Sequence, residues 1–142
     1  MPKNFTSEKQ KIGKIGENIA CRFLVKRGFV VLDSNYTKKW GEIDIITKKE
    51  GKLHFIEVKS INCQNNQFLN SNSYVTCETD RTYRPEENMH PWKTKRMSRI
   101  IQTYLLSKKI NENVEWQVDL LIVYLNLKDK KAKIKVVDNI II

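Results

Sequence analysis

The run VDLLIVYL, between Trp116 and Asn126, limits what this chain can fold into more than any other segment. A strand with one wet face alternates apolar and polar residues; a run this continuous belongs in a sheet interior with both faces covered. Helices must therefore flank the sheet, and two segments read as helices. Ser7 is an N-cap and Gly28 a stop signal for a first helix reaching about Lys26, with Ile12, Ile15, Ile19 and Phe23 at helical spacing. Pro91 suits a first helical turn, and Met97, Ile100, Ile101, Tyr104 and Leu105 form the apolar stripe of a second helix running to about Lys109.

Three strands fall between these helices: Phe29 to Tyr36, then WGEIDIITKK and LHFIEVKSI, the last two joined at Lys49 to Lys52 around Gly51. KAKIKVVDNIII pairs beside VDLLIVYL through a turn at Lys128 to Lys131. The expected fold is thus α/β, a central mixed β-sheet flanked by helices in the order α-β-β-β-α-β-β, within a single domain over residues 1–142. Residues from about 62 to 90 are polar, rich in Asn and without sustained period. They read as a long mobile loop with a short strand around Tyr74 to Thr76, and a loop of that length in a compact domain is functional or disordered.

Lys and Arg number 26 against 16 acidic residues, a formal charge of +10 that favours polyanionic partners. Cys21, Cys63 and Cys77 are an odd number without close pairing, so neither a disulfide framework nor a zinc knuckle is expected. No stretch approaches the roughly 20 apolar residues that span a bilayer. The expectation is a cytoplasmic protein without membrane contact.

Chemistry concentrates in the middle strands. Side chains alternate faces along a strand, so Glu42, Asp44 and Ile46 are expected on one face and Phe55, Glu57 and Lys59 on one face of the next strand. Ile43, Ile45, Ile56 and Val58 would face the core. Two carboxylates and an ammonium gathered on a hairpin suit Mg²⁺ or Mn²⁺, with the carbonyl of Val58 as a third donor and Lys59 placed to orient a water. The plainer reading of the same residues is a cross-strand salt bridge.

Other residues bear on that choice. Lys93 falls about 40° from Met97 on the second helix, on its buried stripe, where an ammonium needs an anion or an exit to solvent. Glu17 shares a row with Gly13, Ala20 and Leu24, small neighbours that would let the sheet approach its carboxylate. Asp119, one acid inside an apolar strand, is expected to have a buried cationic partner. His54 and His90 lack ligand-like spacing. Trp40, Trp92, Tyr74 and Tyr83 neighbour basic residues and are of the type that stacks on unpaired bases or packs on a core.

The blocks GENIACRFLVKRGFVVLDSNYTKKWGEIDII, HFIEVKS, PEENMHPWKTKRM and WQVDLLIVY, in this order, resemble those of the YraN-type family. The resemblance covers nearly the whole chain apart from the Asn-rich segment and the last strand. It implies a restriction-endonuclease-like fold among the PD-(D/E)xK nucleases, with a likeness to archaeal Holliday-junction resolvases. Residue by residue it implies Glu17 as the helix acid, Asp44 as first metal ligand and Glu57 with Lys59 as the final acid and lysine, while Lys93 and Asp119 match later blocks. Two departures bear on DNA-backbone contacts: Ser60 and Ile61 stand where the family commonly has an arginine, and Thr37 replaces another.

The leading expectation is a metal-dependent endonuclease acting on DNA, including branched or recombination intermediates, with a twofold homodimer suited to duplex or junction cutting. Two alternatives stand beside it: a nucleic-acid-binding module of the same fold without cleavage, and a protein-interaction component using the 62–90 segment.

Overall fold

The computed structural model describes residues 7–63 and 91–142, with side chains of the second helix from Thr94 onward. The element order is α1 (Glu8–Lys26), β1 (Val30–Lys38), β2 (Gly41–Lys49), β3 (Lys52–Asn62), α2 (Pro91–Ser107), β4 (Trp116–Asn126) and β5 (Lys131–Ile140). This is the expected α-β-β-β-α-β-β sequence. The expected short strand at Tyr74 to Thr76, and the 62–90 segment from residue 64 on, lie outside the described residues.

Ser7 caps α1 by accepting a hydrogen bond from the Gln10 N–H. Gly28, at φ 90, takes the left-handed conformation that ends the helix at little steric expense. The strands form one sheet in the order β1-β2-β3-β4-β5, with β3 and β4 parallel and every other pair antiparallel. A parallel pair needs a long crossover, and α2 lies in it. β1 is longer than expected, leaving only Lys39 and Trp40 as the turn into β2.

The two helices cover opposite faces. Ala20 and Leu24 of α1 pack with Ile45, Ile56, Leu121, Val123 and Leu125. On the other face, Met97, Ile100, Ile101 and Tyr104 of α2 pack with Ile43, Ile46, Phe55 and Val118. β4 therefore sends alternate residues into different clusters, with Leu120, Ile122 and Tyr124 joining Cys63 in a third. Both faces of the VDLLIVYL run are buried, as its composition requires.

Cys63, fully buried just past β3, is disulfide-bonded, which corrects the expectation drawn from three widely spaced cysteines. Among the described residues no helix is long and apolar enough to cross a membrane.

Candidate functional site

The site begins where a ladder stops. β2 and β3 pair from Lys49↔Lys52 up to Ile45↔Ile56 and no further. Beyond that point β2 continues beside β1, through Tyr36↔Ile43 to Lys38↔Gly41, while β3 continues beside β4 to Asn62↔Leu125. Asp44 and Glu57 are the next residues on the two diverging strands, so they stand at the base of a fork. The N–H of Val58 donates to Asp44 Oδ2 at 2.8 Å, and a carboxylate thus takes the place of a strand carbonyl. In an extended strand a residue's N–H and C=O leave on the same edge, so the Val58 carbonyl faces this fork too.

Simple alternation fails here, which corrects the assignment of faces from sequence. Ile43 and Ile46 both pack under α2, whereas Ile45 packs under α1. The break falls on Asp44. Opposite it, between the pairs Ser34↔Ile45 and Tyr36↔Ile43, stands Asn35 at φ 52. Asn tolerates this left-handed conformation better than most residues. Such a residue bends β1 directly across from the break in β2.

Burial sets the electrostatics. Asp44 and Glu57 are only 8% and 9% exposed. Burial first, then the Glu57 carboxylate, push the Asp44 carboxyl up to about 8, against the lowering effect of the Val58 N–H; Glu17 and Glu42 push it further upward. The Asp44 carboxyl therefore retains its proton at neutral pH when no cation is bound. Glu17, half-buried on α1, is also raised, chiefly by burial; Lys14 opposes this, Glu42 and Glu57 add to it, and a hydrogen bond with the Asn35 side chain lowers it.

α1 reaches the sheet through Gly16. A Cβ there would come 1.7 Å from Ser60 Oγ, so only glycine allows this approach without a shift. The close contacts are made by Gly16 and Ala20, not by Gly13, whose Cβ position has nothing within 4 Å. The same approach carries Glu17 towards the fork.

The structure thus brings Glu17, Asp44, Glu57 and Val58 together, with half-buried Lys59 two positions beyond Glu57. The backbone of Lys93 belongs to α2, but its side chain lies outside the described residues. Among the described residues no group of three or more His, Cys, Asp and Glu side chains is placed to hold a metal ion. Side-chain ligation here would rest on Asp44 and Glu57, with Glu17 acting through its charge. Oxygen donors of this kind fit Mg²⁺ or Mn²⁺, which take one or two carboxylates and complete their shell with water and phosphate.

Asp119 belongs elsewhere. Its carboxylate lies 2.7 Å from His54 Nδ1 and accepts from Gln117 Nε2 at 2.6 Å and the Asn139 N–H at 2.9 Å. The expected structural partnership is present, with an imidazole rather than a lysine or arginine as the partner. Sequence reasoning also missed Asn35 and the cations that border the fork. A cleft of about 410 Å³ opens beside Glu57, and its lining includes Lys38, Lys39 and Arg96.

Residues 16–123 match the model of the family described as "Uncharacterised protein family UPF0102". A UPF0102 protein of Campylobacter lari is 37% identical over 125 residues, 88% of each chain. One from Alkaliphilus oremlandii is 33% identical over 130 residues, covering 92% of this chain and 97% of its own. A Campylobacter jejuni relative is 36% identical over 109 residues, 77% of this chain and 80% of its own.

Proposed function

This chain belongs to the uncharacterised protein family UPF0102, the YraN family that its sequence resembles, and we propose that it is a Mg²⁺- or Mn²⁺-dependent endonuclease acting on DNA. One observation carries the reading: two buried carboxylates, Asp44 and Glu57, stand together at the end of a strand ladder, close enough for Glu57 to raise the Asp44 carboxyl. The resemblance, which implies a restriction-endonuclease-like fold, supports the same reading.

Asp44, Glu57 and the carbonyl of Val58 would hold the ion. When bound, it makes a coordinated water more acidic and offsets charge on the phosphoryl oxygens. Lys59, half-buried two positions beyond Glu57, would orient a water and steady the developing charge. Glu17 supports the site from α1, and Lys93, whose side chain lies outside the described residues, is assigned to the metal-site carboxylates or to a phosphate. The net charge of +10 holds the backbone of the nucleic acid, so binding weakens steeply with salt. We assign the work to the cytoplasm and to a twofold dimer able to address two strands.

The test is cleavage of labelled duplex, single-stranded and four-way DNA with and without Mg²⁺, by wild type and Glu57→Ala. The variant should be inactive; equal cutting by both proteins rules out this site. A second reading is a nucleic-acid-binding module without turnover; among the described residues no group of three or more His, Cys, Asp and Glu is placed to hold a metal. This reading requires salt-sensitive binding with every substrate left intact.

A further inference from the structure

The cleft beside the fork has features the hydrolytic chemistry does not use. Its volume of about 410 Å³ lies in the range of sites that take one small-molecule-sized group. Lys38 and Lys39, from the exposed turn between β1 and β2, and Arg96 of α2 bring three cations to its lining, while Glu42 and Glu57 are the acids. A free anion would meet attraction from the cations and repulsion from the acids. A nucleotide suits that mixture, with a phosphate for the three cations and an uncharged base to set beside the acids.

Trp40, partly packed against the core under α2, also lines the cleft. Its indole N–H donates to Thr103 Oγ1 at 3.2 Å, and the Arg99 guanidinium lies over the ring, 5.2 Å from its centroid, so the ring is held between the turn and α2. Bases stack on such rings with little regard to sequence, because every base has a π-face. Volume, charge and ring together describe a seat for one unpaired nucleotide.

We infer that this cleft binds a single unpaired nucleotide next to the phosphate at the fork, and that the preferred substrate therefore carries a single-stranded segment, such as a free end, a flap or an open junction. The identity of the attacked phosphate rests on the nuclease reading above; the binding preference does not.

The experiment is fluorescence anisotropy in EDTA, so that no cleavage is needed, with labelled oligothymidylate, a blunt duplex and a duplex bearing a single-stranded flap. Wild type should bind the oligothymidylate and the flap about tenfold or more tightly than the blunt duplex, the scale of one stacked base. Trp40→Leu should erase that preference, whereas exposed Lys38→Ala/Lys39→Ala should weaken binding of every substrate. Lys128→Ala/Lys131→Ala, exposed where the β4–β5 turn meets β5, should retain the preference. Duplex bound as tightly as single strand, no binding at all, a preference surviving in Trp40→Leu, or unchanged affinity in the Lys38/Lys39 variant overturns the inference. Protein that keeps the preference yet cuts nothing leaves this seat standing and sinks the nuclease. Protein that cuts blunt duplex without preference does the reverse.

Discussion

Asp44→Asn should make the metal-free protein more stable at high pH. Asparagine keeps a side-chain oxygen to accept from the Val58 N–H and removes the charge that burial and Glu57 oppose. A carboxyl whose folded value lies above its unfolded one contributes stability that is fully present below the unfolded value and lost as pH rises through the folded value. For Asp44 those limits are 3.8 and about 8. At about 1.4 kcal/mol per pH unit within the window, wild type loses at most about 4 kcal/mol between pH 5 and pH 9 from this group. Water entering the fork raises the local dielectric response and reduces the loss to about 2 kcal/mol. Urea unfolding in EDTA at the two pH values, for both proteins, measures it as a difference of differences, which removes Glu17 and other groups common to both. Parallel pH dependence in wild type and variant refutes the argument. Adding Mg²⁺ at about a hundredfold over its Kd should restore about 2.7 kcal/mol to wild type and little to Asp44→Asn.

Three further outcomes follow from the same geometry. Metal binding must displace the proton held at Asp44, so Mn²⁺ affinity by calorimetry should rise up to about tenfold per pH unit below pH 8 and then level; a flat profile removes Asp44 from the ligand set. Gly16→Ala forces a Cβ onto Ser60 and should lower stability by about 1–3 kcal/mol in urea, with Ser60→Gly recovering most of the loss; an unchanged midpoint would mean that α1 stands off from β3. Asp119→Ala strips partners from His54, Gln117 and the Asn139 N–H and should destabilise by about 2–4 kcal/mol, yet leave cleavage per folded molecule unchanged. A specific loss of cleavage there would make His54 and Asp119 part of the chemistry.

Local signals made most of the fold legible. The Ser7 cap, the turn at Gly51 and the unbroken VDLLIVYL run each act over a few residues, and each stands where the sequence places it. What escaped depends on partners far along the chain. His54 meets Asp119 only because β3 and β4 run parallel in the register Ile56↔Asp119, and no turn encodes a parallel register. The cleft needs the β1–β2 turn and α2 together. The face swap at Asp44 was hidden for a different reason. Strand parity assumes an uninterrupted pleat, and Asn35 interrupts it from the neighbouring strand; an asparagine two residues before a threonine inside a strand is a weak signal of that.

The position of Asp44 follows from the backbone more than from its own rotamer. At the last rung of the ladder, the Val58 N–H loses a strand carbonyl and needs another acceptor in a buried place. An aspartate is short enough to supply that oxygen from the adjacent strand, which fixes its carboxylate within the fork. Glu57 carries the longer side chain, which lines the cleft with Lys38, Lys39 and Arg96. Asp44 is thus tied to the scaffold, and Glu57 borders the proposed substrate cleft. Asp44 cannot turn away from Glu57 without leaving a buried N–H unpaired, so burial and that neighbour hold its carboxyl raised. On the proposed reading, a divalent cation would relieve that repulsion while leaving the hydrogen bond in place.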